Sequence, residues 1–327
     1  MQLAIKRVVA PLQSRLACQA ESFLLGIFEY GDYSFRSALR GEYSDTLRCT
    51  FFLAQAGKRI CGAAGCLHAI SDPRIAILGP VAVAEDRRGK GVGTRLIEQV
   101  TSYLQALGSK ALYLGVSQTN PAVGLYRRLG FTTYHGIVMR YILDGDAALQ
   151  DYFLDEGYRA FIRPATWGDY PKIQALSCFP CLMKTFDLAA GIYSSMYSEP
   201  TVFLSVFPSM MRSIARRGGV MNVLTSGSRE SIVGIAHVIR PRSAPQGHTA
   251  ALDFFVHDAF LNSAAELVSR TLQDATVLAV HHISFSCVSS DPIKSEIATG
   301  LGAKRVSVLP KGVKIADTSE DIVTYYL

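Results

Sequence analysis

The sequence predicts an α/β chain of two tandem domains, each a mostly antiparallel, twisted mixed sheet flanked by helices. Three observations carry that expectation. The 327 residues exceed what one hydrophobic core usually holds. The first half orders its apolar runs as helix, three strands, a glycine-rich loop into a helix, a strand, and a short capped helix. The second half repeats much of that order with different residues.

The first half opens, over 12–40, on apolar side chains at helical intervals (Leu16, Phe23, Leu24, Ile27, Phe28), with a break near Gly31. Runs with strand character follow at Thr50 to Ala56 and Ile60 to Ile70, separated by Gly57-Lys58-Arg59 as a tight turn. A third run, Ile75 to Ala84, ends at Glu85-Asp86. Beyond it Arg88-Gly89-Lys90-Gly91-Val92-Gly93 passes into a helix that places Leu96, Ile97, Val100, Leu104 and Leu107 on one face and stops at Gly108. A strand at Lys110 to Val116 comes next. Asn120 then suits an N-cap, Pro121 the first helical position, and Gly130 the C-terminal stop.

After Asp144 the chain reads as acidic and irregular as far as Gly157, so the expected domains are 1–145 and 158–327. The second starts with a strand at Tyr158 to Ala165 and a helix entered at Thr166-Trp167-Gly168-Asp169. Strands at Val220 to Thr225, Ile232 to Ile239 and Ala250 to Val256 precede a helix near Asn262 to Asp274. A strand at Ile283 to Val288, then Gly300-Leu301-Gly302-Ala303 and a last strand, complete it.

Composition narrows the function. The chain is 49% hydrophobic and 18% charged, that of a packed globular protein, and has no apolar run of about 18 residues. Met1 to Arg7 lacks the apolar core of a signal peptide, so the chain is expected to be cytoplasmic, with no membrane partner. The formal charge of +6 lies entirely in residues 1–150, which hold 17 Lys+Arg against 11 Asp+Glu, whereas 151–327 hold 16 of each. With no dense basic track carrying interleaved aromatics, a small phosphorylated molecule fits this charge better than nucleic acid. The seven cysteines are an odd, scattered set that reads as reduced thiols. Cys178-Phe179-Pro180-Cys181 lacks the second ligand pair of a zinc site, and no metal is expected. His281-His282 reads as structural and Arg216-Arg217 as a helix end.

The junction at residues 88–93 carries the chemistry. Glycines let backbone approach a ligand, the first-turn N–H groups have no partners within the helix, and Arg87, Arg88 and Lys90 add positive charge to the helix dipole. The spacing is neither a Walker loop nor the dinucleotide G-x-G-x-x-G.

With both motifs in view, Val81 to Gly93 resembles the acyl-CoA segment of GNAT (Gcn5-related) N-acetyltransferases. Asn120 to Phe131 resembles their N-P-A-x-x-L-Y-x-x-x-G-F segment. The resemblance implies acetyl-CoA or another acyl-CoA as cosubstrate. Val81, Ala82 and Val83 would pair with the pantetheine amides, Pro80 marking a local strand break, and Arg88, Gly89, Lys90, Gly91, Val92 and Gly93 would hold the pyrophosphate. Asn120 would contact the pantetheine arm and Tyr126 would protonate the departing thiolate. As alternatives, Asn120 only caps its helix and Tyr126 only packs. No general base is assigned, although Glu29, Asp32, His68 and Glu85 lie in suitable segments.

The second half resembles a diverged copy of the same fold, in the manner of tandem-GNAT proteins. Asp258-Ala259-Phe260-Leu261-Asn262-Ser263 replaces the glycine loop, so no ordinary pyrophosphate site is expected there. The implied activity is acyl transfer to the amine of a small or amino-acid-like molecule. Protein or peptide acetylation and a non-catalytic acyl-CoA sensor are the alternatives. Either a monomer, as a pseudo-dimer, or a homodimer is expected.

Overall fold

The structure is a computed structural model and describes residues 3–28, 35–145, 147–154, 160–197, 203–241 and 247–327. Met1, Glu29, Gly31, Asp32, Gly157 and Tyr158, named above, lie outside the described residues. The chain divides into two compact units, unit 1 taking in 1–134, 138–150 and 166–172 and unit 2 the remainder.

Unit 1 runs β1 (Ala4–Val9), α1 (Ser14–Leu25), α2 (Phe35–Arg40), β2 (Leu47–Ala56), β3 (Arg59–Ala69), β4 (Ile75–Val83), α3 (Val92–Ala106), β5 (Ala111–Gly115), α4 (Val123–Arg128), β6 (Thr132–His135), β7 (Val138–Ile142). Its seven strands stand in the order β1-β2-β3-β4-β5-β7-β6. Only β4 and β5 pair in parallel among the registered pairs.

The core of this sheet follows from its sequence. In β2 and β3 nearly every residue is buried, because α3 covers one face and α1 and α2 the other. Phe51, Leu53 and Ala63 point to the α1 side, and Phe52, Ala54 and Ala64 to the α3 side, the alternation a pleated strand imposes. From α3, Leu96, Ile97, Val100 and Leu104 are buried at helical spacing, each worth about 2 kcal/mol of apolar burial.

After α5 (Ala147–Phe153), the chain continues as β8 (Phe161–Pro164), α6 (Tyr170–Ser177), β9 (Thr185–Asp187), β10 (Ile192–Tyr193), α7 (Phe203–Arg217), β11 (Gly219–Ser226), β12 (Ser231–Ile239), β13 (Thr249–Val256), α8 (Ala264–Asp274), β14 (His282–Val288), α9 (Pro292–Gly300), β15 (Lys304–Ile315) and β16 (Thr318–Tyr326). The second large sheet has the order β8-β11-β12-β13-β14-β16-β15, which maps strand for strand onto the first. Here too one registered pair, β13 with β14, is parallel. The expected class, two mixed sheets flanked by helices in tandem, is what the fold has.

Local readings differ from the fold in identifiable places. β1 pairs with β2 along six residues although its sequence carries little apolar signal. The last strand expected in each half is a pair, β6 with β7 and β15 with β16. The segment expected to be irregular after Asp144 contains α5, where Leu149, Tyr152 and Phe153 are buried at i, i+3, i+4 spacing. Its acidic neighbours hid that period. Among the described residues no helix is long and apolar enough to cross a membrane.

Candidate acyl-CoA site

The site is framed by β4. Its register with β3 is regular from Gly62↔Val83 to Ala64↔Val81 and then shifts to Cys66↔Leu78, so Gly79 and Pro80 together oppose Gly65. This is a β-bulge at the proline, the local break that Pro80 suggested. Gly65 is obligatory there, since a Cβ would stand 2.7 Å from the Gly79 carbonyl oxygen. On its other side β4 pairs with β5 only from Ile75↔Ala111 to Ile77↔Tyr113. Beyond Ile77 the two strands are unpaired, so no strand covers the β5-facing edge of Val81, Ala82 and Val83. Val81 and Val83 pack toward the α3 core, and Ala82 is buried in the α1 core.

The loop after β4 makes a 3-10 turn at Glu85–Arg87, passes through extended Arg88, and reaches Gly89 and Gly91 at φ +69° and +72°. Both are left-handed conformations that disfavour a side chain. Open space surrounds the position of a Cβ at each, so the backbone is uncovered. The first bond of the α3 ladder runs from Arg95 N–H to Gly91 O, which leaves the N–H groups of Val92, Gly93 and Thr94 ahead of it. Arg88 Nε donates to the Val83 carbonyl at 3.2 Å and Lys90 Nζ to the Asp86 carbonyl at 2.9 Å. Arg59 pairs with Asp86 at 3.3 Å in a shallow pocket shared with Glu85, a feature the sequence reading did not single out.

Gly93 shows what converges on the loop: a Cβ there would lie 3.1 Å from Leu125 Cδ2 of α4 and 3.7 Å from Val83 Cγ2. The end of β4, the first turn of α3 and α4 therefore meet at one place, and a larger residue at 93 would wedge them apart. Asn120 Oδ1 accepts from Ala122 N–H at 2.9 Å and so ties the turn ahead of α4, but the N-cap is Ala122 and the first helical residue Val123, each two positions later than the sequence suggested. Gly130, at φ +92°, closes that helix, with Phe131 N–H reaching back to Tyr126 O.

Tyr126 is 7% exposed on α4, and its ring meets Phe131 edge-on at 5.7 Å. Burial pushes its phenol up to about 12, so it is protonated throughout the physiological range and is suited to give a proton rather than take one. His68 is different. Its Nδ1 lies 2.8 Å from Ala69 O and its Nε2 3.4 Å from the Tyr103 hydroxyl, and burial lowers its pKa. It opposes Ala76 in the register, five residues along β4 from Val81, roughly 17 Å at the rise of a strand. It is a structural histidine.

In unit 2 the corresponding loop is a 3-10 turn over Asp258–Ser263, without glycine and without basic residues. Cys178 and Cys181 are buried free thiols, and among the described residues no group of His, Cys, Asp and Glu is arranged to hold a metal. His282 stacks on Tyr326 at 5.6 Å, and Arg216 and Arg217 do end a helix.

Residues 18–131 match the model of the acetyltransferase (GNAT) family. Mycothiol acetyltransferase of Pseudarthrobacter chlorophenolicus is 44% identical over 70 residues, 21% of this chain and 22% of that protein. The uncharacterized N-acetyltransferase YobR of Bacillus subtilis is 39% identical over 56 residues, 17% of this chain and 23% of that one. The matched region thus spans less than a quarter of either curated relative. Among solved structures, the yncA protein of Salmonella typhimurium, determined with its cofactor acetyl-CoA, aligns with a TM-score of 0.43 at 19% identity, over 51% of this chain and 92% of that one. The chain carries a GNAT-family acetyltransferase domain, and that domain lies in unit 1.

Proposed function

We propose that unit 1 transfers an acyl group, acetyl first among candidates, from acyl-CoA to the amine of a small or amino-acid-like molecule. The observation that carries this reading is the open edge of Val81–Val83, which leads directly into the glycine loop at the N-terminus of α3. A pantetheine arm is an amide chain, and an unpaired strand edge offers the alternating donors and acceptors such a chain needs. The N–H groups of residues 89–93 and the partial positive end of α3 suit the pyrophosphate, with Arg88 and Lys90 supplying charge. Asn120, already engaged through Oδ1, would meet the arm through its amide nitrogen.

The chemistry then divides among few groups. The neutral amine attacks the thioester carbonyl, a carbon–nitrogen bond forms, and a backbone N–H of residues 81–83 stabilises the oxyanion. As the carbon–sulfur bond breaks, the sulfur takes a proton, for which Tyr126 is the donor. The attacking amine gives up its own proton to solvent. A carboxylate base is not assigned, and His68 of β3, opposite Ala76, is too far from Val81–Val83 to serve.

The reading is tested by titrating acetyl-CoA and free CoA into the wild-type protein and a Gly91→Glu variant, followed by thiol release over a panel of amines that includes peptide N-termini. Binding that disappears in the variant, with thiol release on a small amine, supports the proposal. Release confined to peptides moves the acceptor class to proteins. Binding with no release on any amine makes unit 1 a sensor, and no binding overturns the reading.

A further inference from the structure

Unit 2 has the same splayed strands as unit 1, and a stretch of its own chain is tied to the residues around the splay. β13 pairs with β14 only from Thr249↔His282 to Leu252↔Phe285, so from Asp253 onward the two strands are unpaired, as β4 and β5 are beyond Ile77. Three carboxylates frame this wedge. Asp253 stands at the first unpaired position of β13, Asp258 opens the turn after β13, and Asp291 caps α9 by accepting from Lys294 N–H. Asp291-Pro292 occupies the place that Asn120-Pro121 holds before α4.

All three carboxylates accept backbone N–H groups from one short stretch of the chain itself. Leu182 N–H donates to Asp258 Oδ1 at 2.8 Å, Lys184 N–H to Asp291 Oδ2 at 3.0 Å, and Leu188 N–H to Asp253 Oδ2 at 2.8 Å. The stretch is the first arm of the β9–β10 hairpin, and Met183, Thr185, Phe186 and Asp187 are buried within it. Phe186 packs on Phe255 of β13 at 4.9 Å, and Asp187 pairs with His237 of β12 at 2.8 Å. The helix that should carry a proton donor does not: counted from its cap, the position of Tyr126 falls on Ile297, and counted from its C-terminal turn, on Ala298. From α9, Lys294 instead reaches Asp253 at 2.5 Å.

We propose that the segment Cys181–Ser194 is a built-in occupant of the second wedge, so that unit 2 takes no acyl-CoA and the chain binds one. Where unit 1 would offer open amides and glycines to an anion, unit 2 offers carboxylates already engaged with its own backbone. Their charge would repel a pyrophosphate, and displacing the hairpin would take the Leu188 N–H from Asp253 and leave the buried His237 without Asp187. The correspondence between wedges rests on the reading of unit 1, so the tests are arranged to fail separately.

Acyl-CoA sites per chain are counted by titration of the intact wild-type protein and of Gly91→Glu, and amide exchange is followed at Leu182, Lys184 and Leu188 with and without acetyl-CoA. One site in the wild type and none in the variant, with the three amides protected and unchanged by acetyl-CoA, is the expected result. Two sites in the wild type and one in the variant would overturn the occupant while leaving unit 1 standing. If the wild type binds nothing, the reading of unit 1 falls and exchange decides the other: slow amides keep the occupant, fast ones remove it. Deprotection on adding acetyl-CoA would also overturn it. An Asp258→Ala variant, which touches only one of the three ties, should speed exchange at Leu182 about tenfold without changing the number of sites.

Discussion

Between the two units the strand order is shared, and the contrast lies at the end of the fourth strand. In unit 1, β4 bulges at Gly79-Pro80 opposite Gly65, and its last residues, an open edge, lead into glycines in the left-handed region. In unit 2, β13 keeps an unbroken register with β12 from Ile239↔Ala251 to Gly234↔Val256 and leads into a turn with no glycine. A parallel pair that separates after three or four residues leaves polar backbone that must be satisfied somehow. In the readings proposed above, unit 1 leaves it for acyl-CoA, whereas unit 2 fills the space with a hairpin tied to carboxylates. The same topology therefore does not dictate a binding site; the residues lining the splay do.

The sharpest way to break this contrast is to loosen the closed wedge. Lys294 is 0% exposed and partners Asp253, so Lys294→Ala should leave a buried carboxylate unpaired and cost unit 2 about 3–5 kcal/mol, seen as a lowered unfolding transition by calorimetry. An unchanged transition would mean that the pair is incidental to the closure. On the open side, Gly91→Glu forces a side chain onto φ +72° and places a carboxylate among the groups proposed for pyrophosphate. Acyl-CoA affinity should fall by at least about 100-fold by titration calorimetry, while the fold loses only about 1–2 kcal/mol.

Tyr126→Phe separates chemistry from binding. It should lower kcat about 100-fold, in the range of a lost general acid, with the Kd for acetyl-CoA held within about twofold. Because burial holds the phenol at about 12, wild-type kcat/KM should rise with pH as the amine loses its proton and show no decline from Tyr126 below about pH 11. A decline near pH 9 would remove the tyrosine from that role.

The smallest effect is shared by both units. His68 in unit 1 and His257 in unit 2 are held below the ordinary histidine range, in each case first by burial. His257 packs against the rings of Phe153 and Phe179, at 5.3 and 4.6 Å, which also touch each other at 4.8 Å, and it accepts from Ala259 N–H through Nδ1. The unfolded chain then binds more protons than the folded one below pH 6.5, so stability is full above that value and falls as pH drops through it toward the folded pKa values. Melting should fall between pH 7.5 and 5.5, and His68→Gln should flatten the dependence in unit 1 alone.

Much of unit 1 was legible because its signals are local. Asn120-Pro121 and Gly130 mark the ends of a helix within a few residues of themselves, and Gly89 and Gly91 mark a backbone conformation in their own dihedrals. The amphipathic period of α3 is likewise contained in its own fifteen residues. The helix α5 was missed because acidic residues flank its short apolar face, and β1 because an edge strand with exposed Lys6 and Arg7 has weak alternation. Gly65 gave no sign, since its need for a missing side chain comes from Gly79 across the ladder.

The sequence by itself determined the tandem order of elements, the glycine loop and the absence of that loop from the second half. Only the tertiary structure decided which wedge stands open. The ties that close the second one join residues 76, 107 and 65 positions apart, Leu182 to Asp258, Lys184 to Asp291 and Leu188 to Asp253. No periodicity or turn signal reaches that far along a chain. A carboxylate before a proline reads only as a helix cap until the fold brings the N–H of a distant residue against its second oxygen.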